Sequence, residues 1–262
     1  MAIDYVLATP CGPQRELGVE RLVSLNRTRI LARSALEHMK ADGEDRPASE
    51  IEVQLTMRKP EGDSARGVTL QDLLDEAKPL DDVTPACSTC PAGLSRELAC
   101  HRRIRYPIPE HVEAWLMSRF PKNLQCSAGV LLARGIEEFK WDGEPTRRLR
   151  ASGTTYFESR APYGVRWEGE NGVLEISSDQ VFQMLFMVGH ISPTHGLMLA
   201  LFTGVIPHDT SLFDLKDKGG RDRVLAAANL PTEADPDIEQ LAAFLRMLAT
   251  AARLETTILV DG

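Results

Sequence analysis

Three cysteines stand close together in a pattern suited to metal binding. Cys87 and Cys90 are separated by two residues, and Cys100 follows after nine more. A Cys-x-x-Cys turn can direct both sulfurs at one ion, and thiolates are the ligands that Zn²⁺ and iron–sulfur clusters prefer. The spacing therefore predicts a metal centre, with zinc favoured and an iron–sulfur cluster as the alternative.

A fourth ligand is needed to complete such a centre. The candidates are Cys126 and His101. Adjacent residues seldom both reach one metal, so Cys100 and His101 compete for a place and Cys126 is preferred. The predicted metal ligands are thus Cys87, Cys90, Cys100 and Cys126.

Other interpretations of the cysteines stay open. They could be reduced thiols in a buried loop. Cys87 and Cys90 could also form a redox pair, which needs a helix to start directly after the first cysteine. A proline after a cysteine, as at Cys90-Pro91, also occurs at iron–sulfur ligands.

Arginines lie beside the cysteines, at positions 96, 102, 103 and 105. They could offset thiolate charge or bind an anionic substrate, whereas a solvated basic face is the simpler interpretation. Tyr106 is the one aromatic residue among them, and the net charge of the chain is −8. Nucleic-acid binding is therefore not expected.

The histidines form a second, weaker candidate site. His190, His195 and His208 lie near the ends of an apolar helical hairpin, where they could bind a metal or act as acid and base. Histidines that cover the ends of helices explain the same positions more simply. Cys11, in a Pro-Cys-Gly-Pro turn, is expected to be a free thiol.

The composition is that of a globular protein, with 43% hydrophobic and 26% charged residues, which excludes wholesale disorder, collagen and a coiled-coil rod. The motifs of phosphate-binding loops, zinc proteases, α/β-hydrolases and EF-hands are absent from the sequence. The sequence therefore assigns the chain to no enzyme class, and whether it is an enzyme stays open.

Local patterns predict a mixed fold. Residues 51–57 alternate apolar and polar side chains, as a half-buried strand does. Capping residues precede predicted helices at Thr69, Ser177 and Asp235, while residues 141–160 are predicted to be turn-rich. Strands and helices do not alternate regularly, so we predict an α+β fold, predominantly helical with several short strands and an irregular cysteine-bearing loop.

A single domain over residues 1–262 is expected, with a possible subdivision into 1–80, 81–140 and 141–262. No signal peptide is evident, and the longest uninterrupted apolar stretch, residues 196–206, is too short to span a membrane. The sequence thus predicts a cytoplasmic protein with a mainly structural metal, acting through another protein. The alternative is an iron–sulfur protein or a metal-dependent enzyme with an anionic substrate.

Overall fold

The structure is a computed structural model that describes residues 2–57, 64–94, 96–169 and 172–261. Helices make up 53% of it and strands 16%, the latter in small sheets, which confirms the α+β prediction. None of the helices in these ranges combines the length and apolar character needed to cross a membrane.

The elements follow in chain order. The strands are β1 (Ala2–Ala8), β2 (Glu52–Met57), β3 (Ser64–Thr69), β4 (His101–Arg105), β5 (Gly164–Gly169), β6 (Gly172–Ser177), β7 (His190–Ile191) and β8 (Thr257–Asp261). The helices are α1 (Gly12–Leu17), α2 (Val19–Ala41), α3 (Leu70–Glu76), α4 (Pro79–Val83), α5 (Glu110–Ser118), α6 (Ser127–Phe139), α7 (Glu144–Ala151), α8 (Ser178–Phe186), α9 (Pro193–Phe202), α10 (Leu212–Lys216), α11 (Lys218–Ala226) and α12 (Pro236–Arg253). Short 3₁₀ helices span Ala48–Glu50 and Thr84–Thr89.

The chain divides into two compact units. Unit 1 comprises Met1–Ala8 and Cys100–Gly262, and unit 2 comprises Thr9–Ala99. In chain order, unit 2 is therefore inserted between β1 and β4 of unit 1. The expectation of a single domain stays a prediction.

Unit 1 is built on a four-stranded antiparallel sheet with the strand order β4-β1-β8-β7. Alternate β1 residues Ile3, Tyr5 and Leu7 are fully buried. The ring of Tyr5 meets that of Phe244 edge to face, at 4.9 Å between centroids, which packs α12 against the sheet. Asp4, on the opposite side of β1, is also buried, so a charged group lies inside the fold.

Predicted capping residues start two helices of unit 1. Ser177 accepts a hydrogen bond from the amide of Gln180, whose side chain accepts one from the amide of Ser177. Asp235 accepts hydrogen bonds from the amides of Asp237 and Ile238 at the start of α12. Both signals are local, since the partner lies two or three residues along the chain.

Unit 2 is organised by the long helix α2. One end of α2 contributes Leu22 and Leu25 to a buried cluster with Leu80 and Leu98. Further along, Ala32 belongs to a second cluster with Ile51, Val68, Leu70 and Leu73. The second cluster includes the β2–β3 hairpin and α3, whose first turn is closed by a capping box between Thr69 and Asp72.

One sequence expectation needs correction, and another stays a prediction. The cysteine-bearing segment begins with α4 and a 3₁₀ helix and is followed by β4, and its irregularity stays a prediction. The turn-rich prediction for residues 141–160 was wrong over Glu144–Ala151, which forms α7. That helix is rich in arginine, and its buried residues, Thr146 and Arg150, are polar, so the sequence shows no apolar stripe there.

Candidate metal centre

Cys87 and Cys90 lie together in a tight turn of unit 2. The 3₁₀ helix Thr84–Thr89 contains Cys87, and the amide of Cys90 donates to the carbonyl of Cys87 at 3.1 Å. The amide of Gly93 then donates to the carbonyl of Cys90 at 2.9 Å. Both thiols are half-buried and neither forms a disulfide. Cys87 and Cys90 thus begin two consecutive hydrogen-bonded turns of the backbone.

A backbone amide is directed at the sulfur of Cys87. The donor is Leu98, whose nitrogen lies 3.5 Å from Cys87 Sγ. Leu98 has φ +50°, a left-handed conformation that is rare for a residue with a side chain. Its side chain is 2% exposed and packs in the cluster of Leu22 and Leu25. Packing therefore holds Leu98 in a conformation in which its amide faces the sulfur.

A buried cation lies near the same thiol. Arg29 of α2 is buried and pairs with Asp81 at 3.6 Å. Burial, with a contribution from Arg33, lowers the pKa of Arg29, while the carboxylates of Asp81 and Glu97 and the sulfur of Cys87 act in the opposite direction. The surroundings of Cys87 thus include a positive charge that can compensate a thiolate.

The other two predicted ligands belong to unit 1. Cys100 is buried directly before β4, and its carbonyl accepts the amide of Leu7 at 2.9 Å. Cys126 is the N-cap of α6: its sulfur accepts the amide of Gly129 at 3.4 Å and donates to the carbonyl of Asn123 at 3.4 Å. The sulfur of Cys126 therefore has a local structural role. The four-cysteine set stays a prediction.

His101, the alternative fourth ligand, is engaged with a carboxylate. Its Nε2 lies 2.7 Å from Asp4 Oδ1, and both side chains are buried. Arg103 Nε lies 3.8 Å from the same oxygen. Asp4 and His101 thus form a buried pair on the neighbouring strands β1 and β4, although they are 97 residues apart in the chain. Nothing in the sequence around either residue signals this pairing.

Cys11 shares unit 2 with Cys87 and Cys90. It is buried and precedes α1, but its side chain makes no capping hydrogen bond. The three sulfurs of these described residues do not all lie within 4.8 Å of one another. Around one tetrahedral Zn²⁺ with bonds of about 2.3 Å, they would be about 3.8 Å apart.

A different group of ligand atoms was not predicted. His111, Asp235 and Asp237 have ligand atoms within 4.8 Å of one another, the one such group among the described residues, and no cysteine belongs to it. His111 Nε2 lies 3.3 Å from Asp235 Oδ2. The hydrogen bond from the amide of Ile238, with smaller contributions from Asp237 and His111, lowers the pKa of Asp235. Helix capping and an exposed ion pair account for this group.

A buried charge cluster connects three helices of unit 1. Arg150 of α7 binds Glu113 of α5 at 2.6 Å and Asp179 of α8 at 2.8 Å. Its guanidinium also lies 4.1 Å from the ring centroid of Phe157. Burial works against this charge, but hydrogen bonds to the two carboxylates outweigh it and raise the pKa of Arg150. Because Glu113 and Asp179 are fully buried, the cluster has a structural role.

The three hairpin histidines occupy separate environments. His190 is exposed, and His208 Nε2 is 3.2 Å from the carbonyl oxygen of Phe202. His195 stacks on Trp141 at 5.8 Å, and burial, with a contribution from His190, lowers its pKa. Their nitrogens do not form a group within 4.8 Å among the described residues.

The arginines are distributed between elements. Arg96 is exposed in unit 2, whereas on β4 of unit 1 Arg102 lies on the face opposite to Arg103 and Arg105. In a strand, neighbouring side chains point to opposite faces, so the β4 arginines do not form one continuous basic surface.

Comparison with known proteins provides no functional assignment: no family model matches the chain, and neither curated proteins nor solved structures show significant similarity to it.

Proposed function

We propose that the chain is a cysteine-metal protein in which Cys87 and Cys90 bind zinc, together with Cys100 and a fourth ligand. The observation that carries this proposal is the Cys87–Cys90 turn, with the amide of Leu98 directed at the sulfur of Cys87. Backbone amides that donate to a ligand orient it and stabilise its charged form. The amide of Leu98 would orient the sulfur of Cys87 as a ligand in this way.

The charge around the turn supports a thiolate site. Zinc bound by four thiolates carries a net charge of −2, which is costly inside a protein unless cations or amide donors compensate it. Arg29 supplies a buried positive charge, and Leu98 supplies an amide. Both lie in the same unit as the turn.

The role of the metal in this proposal is structural. Cys87 packs against the cluster of Leu22, Leu25 and Leu80, so its ligation would bind the 3₁₀ helix to the core around α2. From residue 90 to Ala99 the described chain has turns but no helix or strand. A metal bound at both ends of this stretch would restrict its conformations.

For the whole protein we propose an interaction role. Phe213 on α10 has 85% of its surface exposed, and the neighbouring Leu212 is partly exposed as well. An exposed phenylalanine beside a second apolar residue fits contact with a protein partner. A photo-crosslinking residue at position 213 should yield a discrete adduct in cells. The same residue at Leu230, on the coil before α12, is the control, and equal labelling from both sites would contradict this role.

An iron–sulfur cluster is the second candidate. The sulfurs of Cys11, Cys87 and Cys90 are spread more widely than one zinc ion requires. A cluster contains several iron atoms, so its ligands are farther apart than those of a single ion. In this second candidate the protein would carry out redox chemistry, or it would be a metal-dependent enzyme that acts on an anionic substrate.

The deciding experiment is elemental analysis of anaerobically purified protein, with an absorption spectrum of the same sample. Zinc near one equivalent without colour supports the structural site, whereas iron with sulfide and a brown colour supports the second candidate. Cys87→Ser and Cys90→Ser should lose the metal, whereas Ser88→Ala, an exposed neighbour in the same turn, should keep it. Wild-type protein without either metal would overturn both candidates.

A further inference from the structure

Cys11 and the cysteine turn are brought together inside unit 2. Gly12, next to Cys11, approaches Ala86, next to Cys87: a Cβ atom built on Gly12 would lie 2.8 Å from the Cβ of Ala86. Real side chains do not approach so closely, so glycine is required at position 12. The backbone of Cys11–Gly12 is thereby held against the 3₁₀ helix that contains Cys87.

The sulfur of Cys11 differs from that of Cys126 in what it does. Cys126 caps α6 with its sulfur, which accepts one hydrogen bond and donates another. Cys11 also precedes a helix, but its side chain makes no capping contact, although the residue is only 7% exposed. A buried thiol with no capping role, on a backbone segment that lies against the 3₁₀ helix containing Cys87, is a candidate ligand.

We propose that Cys11, rather than Cys126, binds the metal with Cys87 and Cys90. This inference rests on the proposed function and changes its ligand set. All three of these cysteines belong to unit 2.

Closure of this site on a metal requires side-chain movement. At least one pair of the three sulfurs is more than 4.8 Å apart, against about 3.8 Å around zinc. A change of one cysteine between staggered rotamers moves its sulfur by about 3 Å. Binding of one ion by all three sulfurs therefore requires rotation of at least one cysteine side chain.

The test uses Co²⁺ alone as a probe in the full chain, because thiolate-to-cobalt absorption increases with the number of bound sulfurs. Wild type, Cys11→Ser and Cys126→Ser are purified, stripped of metal and titrated. Cys11→Ser should lose about a quarter of the absorption of a four-thiolate site and should release zinc to a chelator faster. Cys126→Ser should match wild type.

The outcomes separate this inference from the function on which it rests. Wild-type absorption in Cys11→Ser, with a loss in Cys126→Ser, would overturn the inference and leave the metal site intact. A wild type that binds neither cobalt nor zinc would overturn both.

A second measurement needs no variant, in case Cys11→Ser does not fold. Alkylation followed by mass spectrometry should show Cys11 protected in the zinc-loaded protein and modified faster after chelation. Unchanged reactivity of Cys11 on removal of zinc would contradict its role as a ligand.

Discussion

The amide of Leu98 donates a hydrogen bond to the sulfur of Cys87 across 3.5 Å, although 11 residues separate the two in the chain. This contact exists because Leu98 adopts a left-handed conformation while its side chain stays in the core. Core packing and the environment of the candidate metal ligand therefore depend on the same residue.

Truncation of Leu98 should affect both stability and metal retention. Leu98→Ala is expected to lower the free energy of unfolding by about 2–5 kcal/mol, because a buried leucine is lost. It should also release zinc to a chelator faster, because the amide is no longer held against Cys87. Leu73→Ala, in the other cluster of unit 2, is the matched control. It should destabilise similarly with unchanged zinc release, and equal release rates in both variants would contradict the coupling.

Loss of Arg150 should be severely destabilising. Arg150→Ala leaves Glu113 and Asp179 buried without their cation, and breaking a buried pair in this way costs about 3–5 kcal/mol. Urea unfolding measures the change. Removal of all three charges together, by Glu113→Gln, Arg150→Met and Asp179→Asn, should recover part of the loss. An unaltered midpoint in Arg150→Ala would show that the cluster contributes nothing.

Replacement of Tyr5 by phenylalanine should stabilise the protein. Among the described residues the Tyr5 hydroxyl is buried without a hydrogen-bond partner, and burial raises its pKa, so it stays protonated. Removing an unsatisfied buried hydroxyl should increase the free energy of unfolding by about 1 kcal/mol. Tyr163→Phe is the comparison, because it loses a hydrogen bond to Glu110 at 2.9 Å and should not stabilise. A less stable Tyr5→Phe would reveal a partner for the hydroxyl.

Stability should fall in mild acid through His195. Burial lowers its pKa below the ordinary value of 6.5, so the folded state favours the neutral ring. The contribution of the neutral His195 ring to the free energy of unfolding is fully present above pH 6.5. It is lost as the pH falls below 6.5 towards the pKa of His195 in the folded state. His195→Gln should flatten the dependence of the urea midpoint on pH below 6.5. Identical slopes in wild type and His195→Gln would contradict this assignment.

Features set by neighbouring residues could be predicted from the sequence. The capping residues Thr69, Ser177 and Asp235 act on amides two or three positions away, so their helices start where expected. The α+β class followed from the same local patterns.

Features set by distant residues could not be predicted in this way. His101 meets Asp4 across 97 residues, and Arg150 meets Glu113 across 37. The contact of Gly12 with Ala86, which brings Cys11 to the candidate metal centre, is likewise created by the fold. The cap that the sulfur of Cys126 provides for α6 is likewise not visible in the cysteine spacing, and Cys126 as the fourth ligand stays a prediction.

The strand order β4-β1-β8-β7 has a consequence for synthesis on the ribosome. Among the described strands β1 is translated first, but one of its two neighbours, β8, is translated last, and Thr256 contacts Ala8 across 248 residues. The sheet of unit 1 can therefore close only after translation of residues 257–261. Unit 2 is continuous, so all of it has left the ribosome long before β8. Until then one edge of the mostly apolar β1 has no partner strand, and a nascent chain stalled before β8 should be a substrate for chaperones.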